Sequence, residues 1–435
     1  MSNGGRVAGA SSSTRPGTRG VASRTRRTKR PLEYSILYTA TLCLLAAGAV
    51  MVYSASSAEV LLGGSGDPST YLKRYVVFGL LGLTGLHFLS RYGLKTVKDA
   101  TPLMLVIGFV LTLAVLVPGL GVTVNGAKRW LGAGPLQFQP SELLKIALVL
   151  YGAMLLSERP KSVKTLGGLA KPFLLVVGAA CAVVMLQPDM GTTLVMCAAI
   201  GALLIAAGTP IPSLGVLGGG LMSLALLMAV VEPYRMARLT AFIDPFADAR
   251  DTGFQTVQAL TAIGSGGLFG VGLGESVQKI FYLPEAHTDM ILAIIGEEIG
   301  FVGIVGVAGL YGMIGYAGLQ TAKAARDHYS KLLAAGITSL ILCQASLNIF
   351  AVLGLAPLTG VPLPFISYGS TNLIVLLAGM GLLLNVAATG GLPARARRPS
   401  LRSIDGGRGD QGRDRSGRNG GTRRSGARRR GRATG

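Results

Sequence analysis

The chain alternates long apolar runs with short polar connections. Ten runs are each long enough to cross a membrane, because about 20 apolar residues in a helix span a hydrocarbon core about 30 Å thick. They cover roughly residues 35–55, 73–90, 101–117, 142–157, 172–187, 190–207, 214–231, 289–312, 332–355 and 371–389. The apolar residues are continuous and do not alternate with polar ones, which disfavours a transmembrane β-barrel. The pattern predicts an all-α polytopic membrane protein with ten transmembrane helices.

Composition supports this class and separates three regions. Of 435 residues, 50% are hydrophobic and 14% charged, whereas a soluble protein carries about a quarter charged residues. The net charge of +21 comes largely from two Arg-rich tails. We predict disordered basic tails over residues 1–33 and 393–435, with a membrane domain over 34–392. Contact with anionic lipid head groups explains the tails better than nucleic-acid binding, because nothing between them resembles a nucleic-acid module.

The distribution of basic residues predicts the orientation. An even number of spans places both termini on one side, and cytoplasmic connections carry an excess of Lys and Arg. With cytoplasmic termini, the inside connections 91–99, 157–171 and 321–331 are basic, whereas the outside connections 187–193 and 356–370 carry no Lys or Arg. The longest connection, 232–287, then becomes a large extracytoplasmic loop between helices 7 and 8. Because the motif-rich loops all fall outside, we expect an extracytoplasmic or outer-leaflet substrate.

A polar run enters the eighth predicted span at His287, Thr288 and Asp289. A carboxylate at this position is partly removed from water and suits general-base chemistry, which makes Asp289 a candidate catalytic residue. The alternative is structural: Thr288 or Asp289 could cap a helix that starts at Met290. His287 and Asp289 could also bind a metal, but two ligands are too few to define a site.

Two adjacent acids, Glu297 and Glu298, follow within the same apolar run. In a continuous helix they would lie about 12 Å deeper than Asp289, and at most one could share its face. An ionisable group inside a span is a functional candidate. We expect one acid to face a polar cavity and pair with a base, or the acids to form a structural ion pair.

Several charged residues near the outer ends of the spans are further candidates. Glu142 and Lys145 are spaced to pair with each other, although Lys145 could instead reach Glu297 or Glu298. Trp130 could be an interfacial anchor or a platform for a sugar. The cations suited to phosphate oxygens, with lipid head-group contact as the alternative, are Lys128, Arg129, Arg235, Arg238 and Lys279.

A glycine-rich segment at 264–274 contains spacing that resembles a dinucleotide-binding fingerprint. No strand precedes it, so it predicts an irregular loop with tight turns. A Walker A motif is absent from the sequence, and an ATP-driven transporter is therefore unsupported.

Six ordered motifs resemble the shape, elongation, division and sporulation (SEDS) family. They are NGAKRW, FQPSELLK, QPDMGTT, GLGES, YLPEAHTDMILAIIGEEIG and PLTGVPLPFISYGST, and the resemblance runs from about Tyr34 to Thr389. The chain is most similar to the division member, with the elongation member as the alternative. Its Arg-rich tails and high Gly and Ala content are similar to those of actinobacterial proteins.

The resemblance implies a peptidoglycan glycosyltransferase that polymerises lipid II at the division septum, in the bacterial cytoplasmic membrane. The family's essential acid falls on Asp289, and its other important positions match Lys128, Trp130, Glu142 and Lys145. The implied partners are lipid II, the nascent glycan strand, a class B penicillin-binding protein transpeptidase and other divisome proteins. No cofactor is evident, and a divalent cation is a candidate for neutralising the leaving diphosphate.

Two functions from other classes stay open. A lipid II flippase would also use buried acids and an internal cavity, but it needs polar specialisation on both faces, and this chain has it on one. A scaffold that recruits wall proteins through the basic tails is the second alternative.

Overall fold

The computed structural model describes residues 31–62, 67–124, 126–133, 136–231, 236, 240–280 and 283–390. Most of both predicted tails lies outside these residues, so the domain boundaries at 33/34 and 392/393 remain predictions. Arg235 and Arg238, two of the predicted cations, also lie outside them.

The described residues form a helical bundle, which confirms the predicted fold class. Its principal helices are α1 (Leu32–Leu62), α2 (Thr70–Leu89), α3 (Leu94–Ala114), α4 (Pro140–Glu158), α5 (Leu166–Leu169), α6 (Leu175–Met185), α7 (Met190–Ala207), α8 (Ile211–Val231), α9 (Phe254–Gly266), α10 (Ile291–Glu298), α11 (Phe301–Ala324), α12 (His328–Val352) and α13 (Ser370–Gly390).

In the described part of the chain, nine helical segments are long and apolar enough to cross a membrane. They include Leu166–Met185, which joins α5 and α6. The seventh predicted span falls on α8, whose described apolar part is the shorter Ile211–Ser223. The helical membrane architecture is therefore confirmed, while the count of ten spans and the orientation remain predictions.

The outer surface of the bundle is apolar, as a lipid-facing surface requires. On α2, Val77 and Leu80 are 61% and 60% exposed, and on α11 Phe301 is 56% exposed. A soluble protein rarely exposes such contiguous apolar area. The exposed side chains therefore agree with helices whose outer faces contact lipid.

The boundaries predicted for the eighth span are wrong. The run 289–312 is not one helix: α10 ends at Glu298 and the spanning helix α11 starts at Phe301. Gly300 separates them with φ 80° and ψ −168°, a conformation that side chains disfavour. Glu297, Glu298 and Gly300 mark this break in the sequence, but the apolar residues on both sides of it resemble one continuous span.

The glycine-rich segment forms hydrogen bonds with the backbone amides and carbonyls that have no helical partner at the break. The amides of Val271 and Gly272 donate to the carbonyls of Glu297 and Glu298, at 2.9 and 3.1 Å. On the other side of the break, the amides of Phe301 and Val302 donate to the carbonyls of residues 267 and 268. The segment thus supplies partners for helix ends that would otherwise be buried unsatisfied.

A small antiparallel sheet lies between α3 and α4 and was not predicted. Its strands are β1 (Gly121–Val124), β2 (Ala127–Ala133) and β3 (Leu136–Phe138), in the order β1-β2-β3. Val122 pairs with Trp130, and Gly126 turns between the first two strands with φ 76°. The sheet places Lys128, Arg129 and Trp130 on its middle strand.

The connection between α12 and α13 folds back into the bundle. Val361, Leu363, Phe365 and Ile366 are at most 4% exposed. Four of its carbonyls accept hydrogen bonds from side chains of three helices: Val361 from Asn348, Pro362 from Gln344, Pro364 from Tyr311 and Phe365 from Tyr75. Irregular backbone is tolerated inside a helical membrane protein when protein groups satisfy it in this way. We call residues 357–369 the buried loop.

Candidate active site

Asp289 is half-buried just before α10 and does not cap that helix. The residue at the cap position is Met290, whose side chain forms no capping hydrogen bond. The structural alternative for Thr288 and Asp289 is therefore wrong. Thr288 Oγ1 lies 3.3 Å from Asp289 Oδ1, and Asn348 Nδ2 donates to the Asp289 main-chain oxygen at 2.7 Å.

A narrow cleft with no room for a water molecule adjoins Asp289. Its walls come from the end of α12 and from the start of the buried loop, including Asn348, Thr359 and Gly360. Gly360 has φ 67°, and a Cβ built on it would lie 3.9 Å from Asp289 Oδ2. The buried loop therefore passes close to the carboxylate.

His287 is held by aromatic rings. Its ring centroid lies 4.5 Å from that of Tyr71 and 5.8 Å from that of Tyr368. The Tyr368 amide donates to the His287 carbonyl at 3.0 Å. These contacts fix the segment that leads to Asp289. Among the described residues, no cluster of three His, Cys, Asp or Glu side chains could hold a metal ion.

Glu142 and Lys145 pair with each other inside the bundle, as one sequence interpretation expected. Their charged atoms lie 2.8 Å apart, and the side chains are 2% and 1% exposed. Asn372 Nδ2 donates to Glu142 Oε2 at 2.8 Å, and Lys145 Nζ donates to Gln344 Oε1 at 3.0 Å. The alternative in which Lys145 meets Glu297 or Glu298 is wrong, because those acids bind other groups.

Glu298 forms a buried ion pair with Lys279 at 2.9 Å. Ser54 of α1 donates to both Glu298 carboxylate oxygens, at 2.6 and 2.8 Å. This arrangement confirms the structural ion pair expected as one alternative. Lys279 is only 7% exposed, so its predicted role as an outward cation for phosphate is wrong.

Glu297 accepts hydrogen bonds from Ser276 Oγ at 2.5 Å and from the Val277 amide at 3.1 Å. These bonds attach the connection around Ser276 and Val277, which precedes Asp289 in the chain, to the end of α10. The expectation that both glutamates lie deep in a continuous span is wrong, because α10 ends at Glu298. Both side chains support neighbouring segments.

The three candidates on β2 have different surroundings. Lys128 is exposed. Arg129 donates through Nε to the Gln187 carbonyl at 3.2 Å and through Nη2 to the Pro188 carbonyl, so it fastens the turn before α7. Trp130 is half-buried opposite Val122. A role in substrate binding for these three residues remains a prediction.

The loops predicted to share one face meet at one end of the bundle. The Gln139 amide, before α4, donates to Thr371 Oγ1 at the start of α13, at 3.0 Å. Gln139 Nε2 also donates to Asp189 Oδ2, before α7, at 3.2 Å. Asp289 lies at this end too, because its cleft is walled by the residues that leave α12.

The sequence interpretation missed Gln344 and Asn348. They sit four residues apart on α12, so they lie on the same face of the helix. Gln344 is 0% exposed and Asn348 is 2% exposed. Two amides at helical spacing inside the apolar run 332–355 were a usable signal, because polar side chains within a span are costly and usually have partners.

Fold and site define a polytopic helical membrane protein with a carboxylate-bearing cleft where its polar loops meet. The model of a family of cell cycle proteins, named for FtsW, RodA and SpoVE, matches residues 35–390. The chain belongs to this family.

Two curated relatives cover most of the chain. It is 42% identical to a probable peptidoglycan glycosyltransferase FtsW of Geobacter sp. (strain M18), over 78% of this chain and 92% of the relative. It is 39% identical to stage V sporulation protein E of Bacillus subtilis (strain 168), over 83% and 98% respectively.

Solved structures share the fold. A chain from a peptidoglycan synthase complex, described as coordinating polymerization and crosslinking, is similar with a TM-score of 0.67 and 30% identity, covering 82% of this chain and 98% of that one. The rod shape determining protein RodA of Thermus thermophilus is similar with a TM-score of 0.61 and 30% identity, covering 82% and 97%.

Proposed function

We propose that this protein is a peptidoglycan glycosyltransferase that polymerises lipid II on the outer face of the bacterial cytoplasmic membrane. The observation that carries the proposal is Asp289, a half-buried carboxylate beside a narrow cleft where the polar loops meet. Family membership and the name of the FtsW relative support the same reaction class.

Asp289 acts as the general base. The incoming lipid II presents its 4-hydroxyl, and the growing strand presents C1 of a terminal sugar bonded to undecaprenyl diphosphate. Asp289 takes the hydroxyl proton while the oxygen bonds to C1, and the C1–O bond to the diphosphate breaks with its electron pair. Attack from the opposite face inverts the α linkage to a β linkage. A positioned base of this kind contributes about 10²- to 10⁴-fold to a rate.

The leaving diphosphate requires positive charge. Lys128 is exposed on β2, whereas Lys145 and Lys279 are committed to buried carboxylates. We therefore assign Lys128 to the diphosphate, as a compact charge that suits phosphate oxygens. A divalent cation is a second source of positive charge, and adding Mg²⁺ or a chelator to the polymerisation assay tests whether it is needed.

The partner we propose is a class B penicillin-binding protein transpeptidase, at the division septum with other divisome proteins. Support comes from the similar chain in a complex described as coordinating polymerization with crosslinking. A division role, and not elongation, is supported by the FtsW relative at 42% identity.

The flippase alternative loses its principal support. It depended on acids that face an internal cavity, but Glu297 is bound by Ser276 and backbone amides. Glu298 is bound by Lys279 and Ser54. Neither side chain lines the cleft beside Asp289.

The test is polymerisation of fluorescent lipid II by the purified full-length protein in liposomes, with and without the transpeptidase and with Mg²⁺ or a chelator. The proposal expects glycan strands from the wild-type protein in at least one of these mixtures, and polymerisation slower by about 10²-fold or more from Asp289→Asn. Transfer of lipid II between leaflets without any polymer would contradict it and favour the flippase.

A further inference from the structure

We propose that Asn348 is a positioning residue for Asp289, and that Gln344 couples it to the buried Glu142–Lys145 pair. The inference rests on the proposed function, in which Asp289 is the base. It assigns a role to two amides of α12 that the sequence motifs do not include.

Asn348 joins the catalytic segment to the buried loop. Its Nδ2 donates to the Asp289 main-chain oxygen at 2.7 Å and to the Val361 main-chain oxygen at 2.8 Å. Asp289 stands outside regular structure, before the cap position of α10. Helical hydrogen bonds therefore do not fix the position of its peptide. The Met290 amide of that peptide donates to the Glu285 carbonyl at 3.3 Å, and the Asn348 amide ties the same peptide to α12 and the buried loop.

The orientation of the Asn348 amide is determined by chemistry. Both groups it meets are carbonyl oxygens, which only the NH₂ side can satisfy. A flipped amide would place its own oxygen against two acceptors. The Oδ1 atom of Asn348 is buried without a hydrogen-bond partner among the described residues. A buried acceptor without a partner is costly, and its retention here agrees with a residue kept for its two donor bonds.

Gln344 repeats the arrangement one turn earlier. Its Nε2 donates to the Pro362 carbonyl at 2.9 Å, and its Oε1 accepts from Lys145 Nζ at 3.0 Å. The two amides therefore hold consecutive carbonyls of the buried loop, Val361 and Pro362. A continuous series of bonds runs from Glu142 through Lys145 and Gln344 to the loop, and through Asn348 to Asp289.

Through this series of hydrogen bonds, the buried Glu142–Lys145 pair helps to position Asp289 without touching the substrate. Lys145 donates to Gln344, and Gln344 and Asn348 each donate to a carbonyl of the buried loop. Asn348 also donates to the Asp289 carbonyl, so it fixes Asp289 relative to α12 and the buried loop. A general base must lie within hydrogen-bonding reach of the proton that it removes, and a displacement of about 1 Å can cost about 100-fold in rate. The series thus acts on the turnover rate more than on substrate affinity.

The experiment replaces Asn348 with Leu, which has the same branching and number of side-chain heavy atoms but no donor. Steady-state lipid II polymerisation by the full chain in liposomes gives kcat and KM. We expect kcat to fall at least about tenfold with KM within about twofold of wild type, the pattern of a lost transition-state interaction.

Asn385 offers a matched control. Its Nδ2 also donates to two backbone carbonyls, of Leu89 at 2.9 Å and Tyr92 at 2.5 Å, and its side chain is also buried. It lies near the other end of α13, away from the Asp289 cleft. Asn385→Leu should lower the melting temperature to a similar degree and leave kcat within about twofold. An equal fall of kcat in both variants would show that Asn348 acts on stability alone and would overturn the proposal.

Variants of Gln344 decide the question if Asn348→Leu fails to fold. Gln344→Glu keeps an acceptor for Lys145 but cannot donate to Pro362, and Gln344→Met loses both bonds. We expect kcat to fall in both folded proteins, and full kcat in both would overturn the coupling.

Failure of this inference is distinguishable from failure of the proposed function. If the wild type polymerises lipid II and Asp289→Asn does not, full activity in Asn348→Leu rejects only the positioning role. An active Asp289→Asn protein would instead reject the base on which the role depends.

Discussion

Lys145 Nζ lies 2.8 Å from Glu142 Oε1, and neither side chain is more than 2% exposed. Each charge is therefore compensated almost wholly by the other and by two amides, Asn372 and Gln344. Removing one partner leaves a buried charge without a counter-ion, which costs about 3–5 kcal/mol.

We predict that Lys145→Met and Glu142→Gln each destabilise the protein by about 3–5 kcal/mol. The double variant should recover most of that loss, because two neutral side chains of similar volume leave no charge uncompensated. Thermal unfolding in one detergent, compared across all four proteins, measures the effect. Single variants that melt like the wild type would contradict the buried pair.

The pair of Lys279 and Glu298 gives a second prediction, with an internal control. Lys279→Met leaves Glu298 buried beside Ser54 and should destabilise by about 3–5 kcal/mol. Lys73 also pairs with a carboxylate, Asp67, but these side chains are 68% and 50% exposed. Lys73→Met should therefore leave the melting temperature unchanged. Equal effects from the two variants would count against a buried role for Lys279.

Alanine substitutions at two glycines near the helix break distinguish the cost of backbone strain from the cost of steric overlap. Gly270 and Gly274 have φ values of 79° and 87°, so Ala at either position is strained. A Cβ on Gly270 would lie 2.2 Å from the Glu298 carbonyl oxygen, whereas nothing lies within 4 Å at Gly274.

Gly274→Ala should therefore cost about 1–2 kcal/mol, the penalty of the left-handed conformation alone. Gly270→Ala should cost more, because its Cβ would also overlap the Glu298 carbonyl. Relieving that overlap disturbs the hydrogen bonds from the Val271 and Gly272 amides to the Glu297 and Glu298 carbonyls. Equal melting temperatures for the two variants would show that the segment does not pack against the break.

The membrane-spanning helices were predictable because a helix needs about 20 apolar residues to cross the hydrocarbon core. The position of the eighth span was not predicted, because the apolar residues on both sides of Glu297, Glu298 and Gly300 resemble one span. The backbone groups at the break bond to the glycine-rich segment, which lies elsewhere in the sequence. From Gly267 onward that segment makes the predicted tight turns, but its first three residues belong to α9, where an irregular loop was expected. Its partner could not be deduced from spacing. The sheet that carries Lys128 was missed because its strands are short and lie in a connection.

At the site, the Glu142–Lys145 pair was predictable from local sequence, whereas the catalytic role of Asp289 remains a prediction. Lys279 was misassigned because its partner, Glu298, belongs to a different element 19 residues later. Gln344 and Asn348 act on the buried loop and on Asp289 through contacts up to 59 residues apart in sequence. Such pairings depend on tertiary packing, which periodicity does not encode.

Lys128 tests the electrostatic part of the proposed reaction. Lys128→Gln should raise KM for lipid II about fivefold, corresponding to roughly 1 kcal/mol, with no change in melting temperature. The increase should shrink at high salt, because exposed charges are screened. Lys95 is exposed at the start of α3 and serves as the control. Equal KM values for Lys128→Gln and Lys95→Gln would exclude Lys128 from the diphosphate site.

The most direct test of the central claim is the polymerisation rate of Asp289→Asn beside the wild type. The two proteins should melt at similar temperatures, because Asn has the shape of Asp and the main-chain bond to Asn348 is kept. We predict that the rate falls by about 10²-fold or more, since the amide cannot accept the hydroxyl proton. A folded Asp289→Asn protein that polymerises lipid II at the wild-type rate would contradict the claim that Asp289 is the general base.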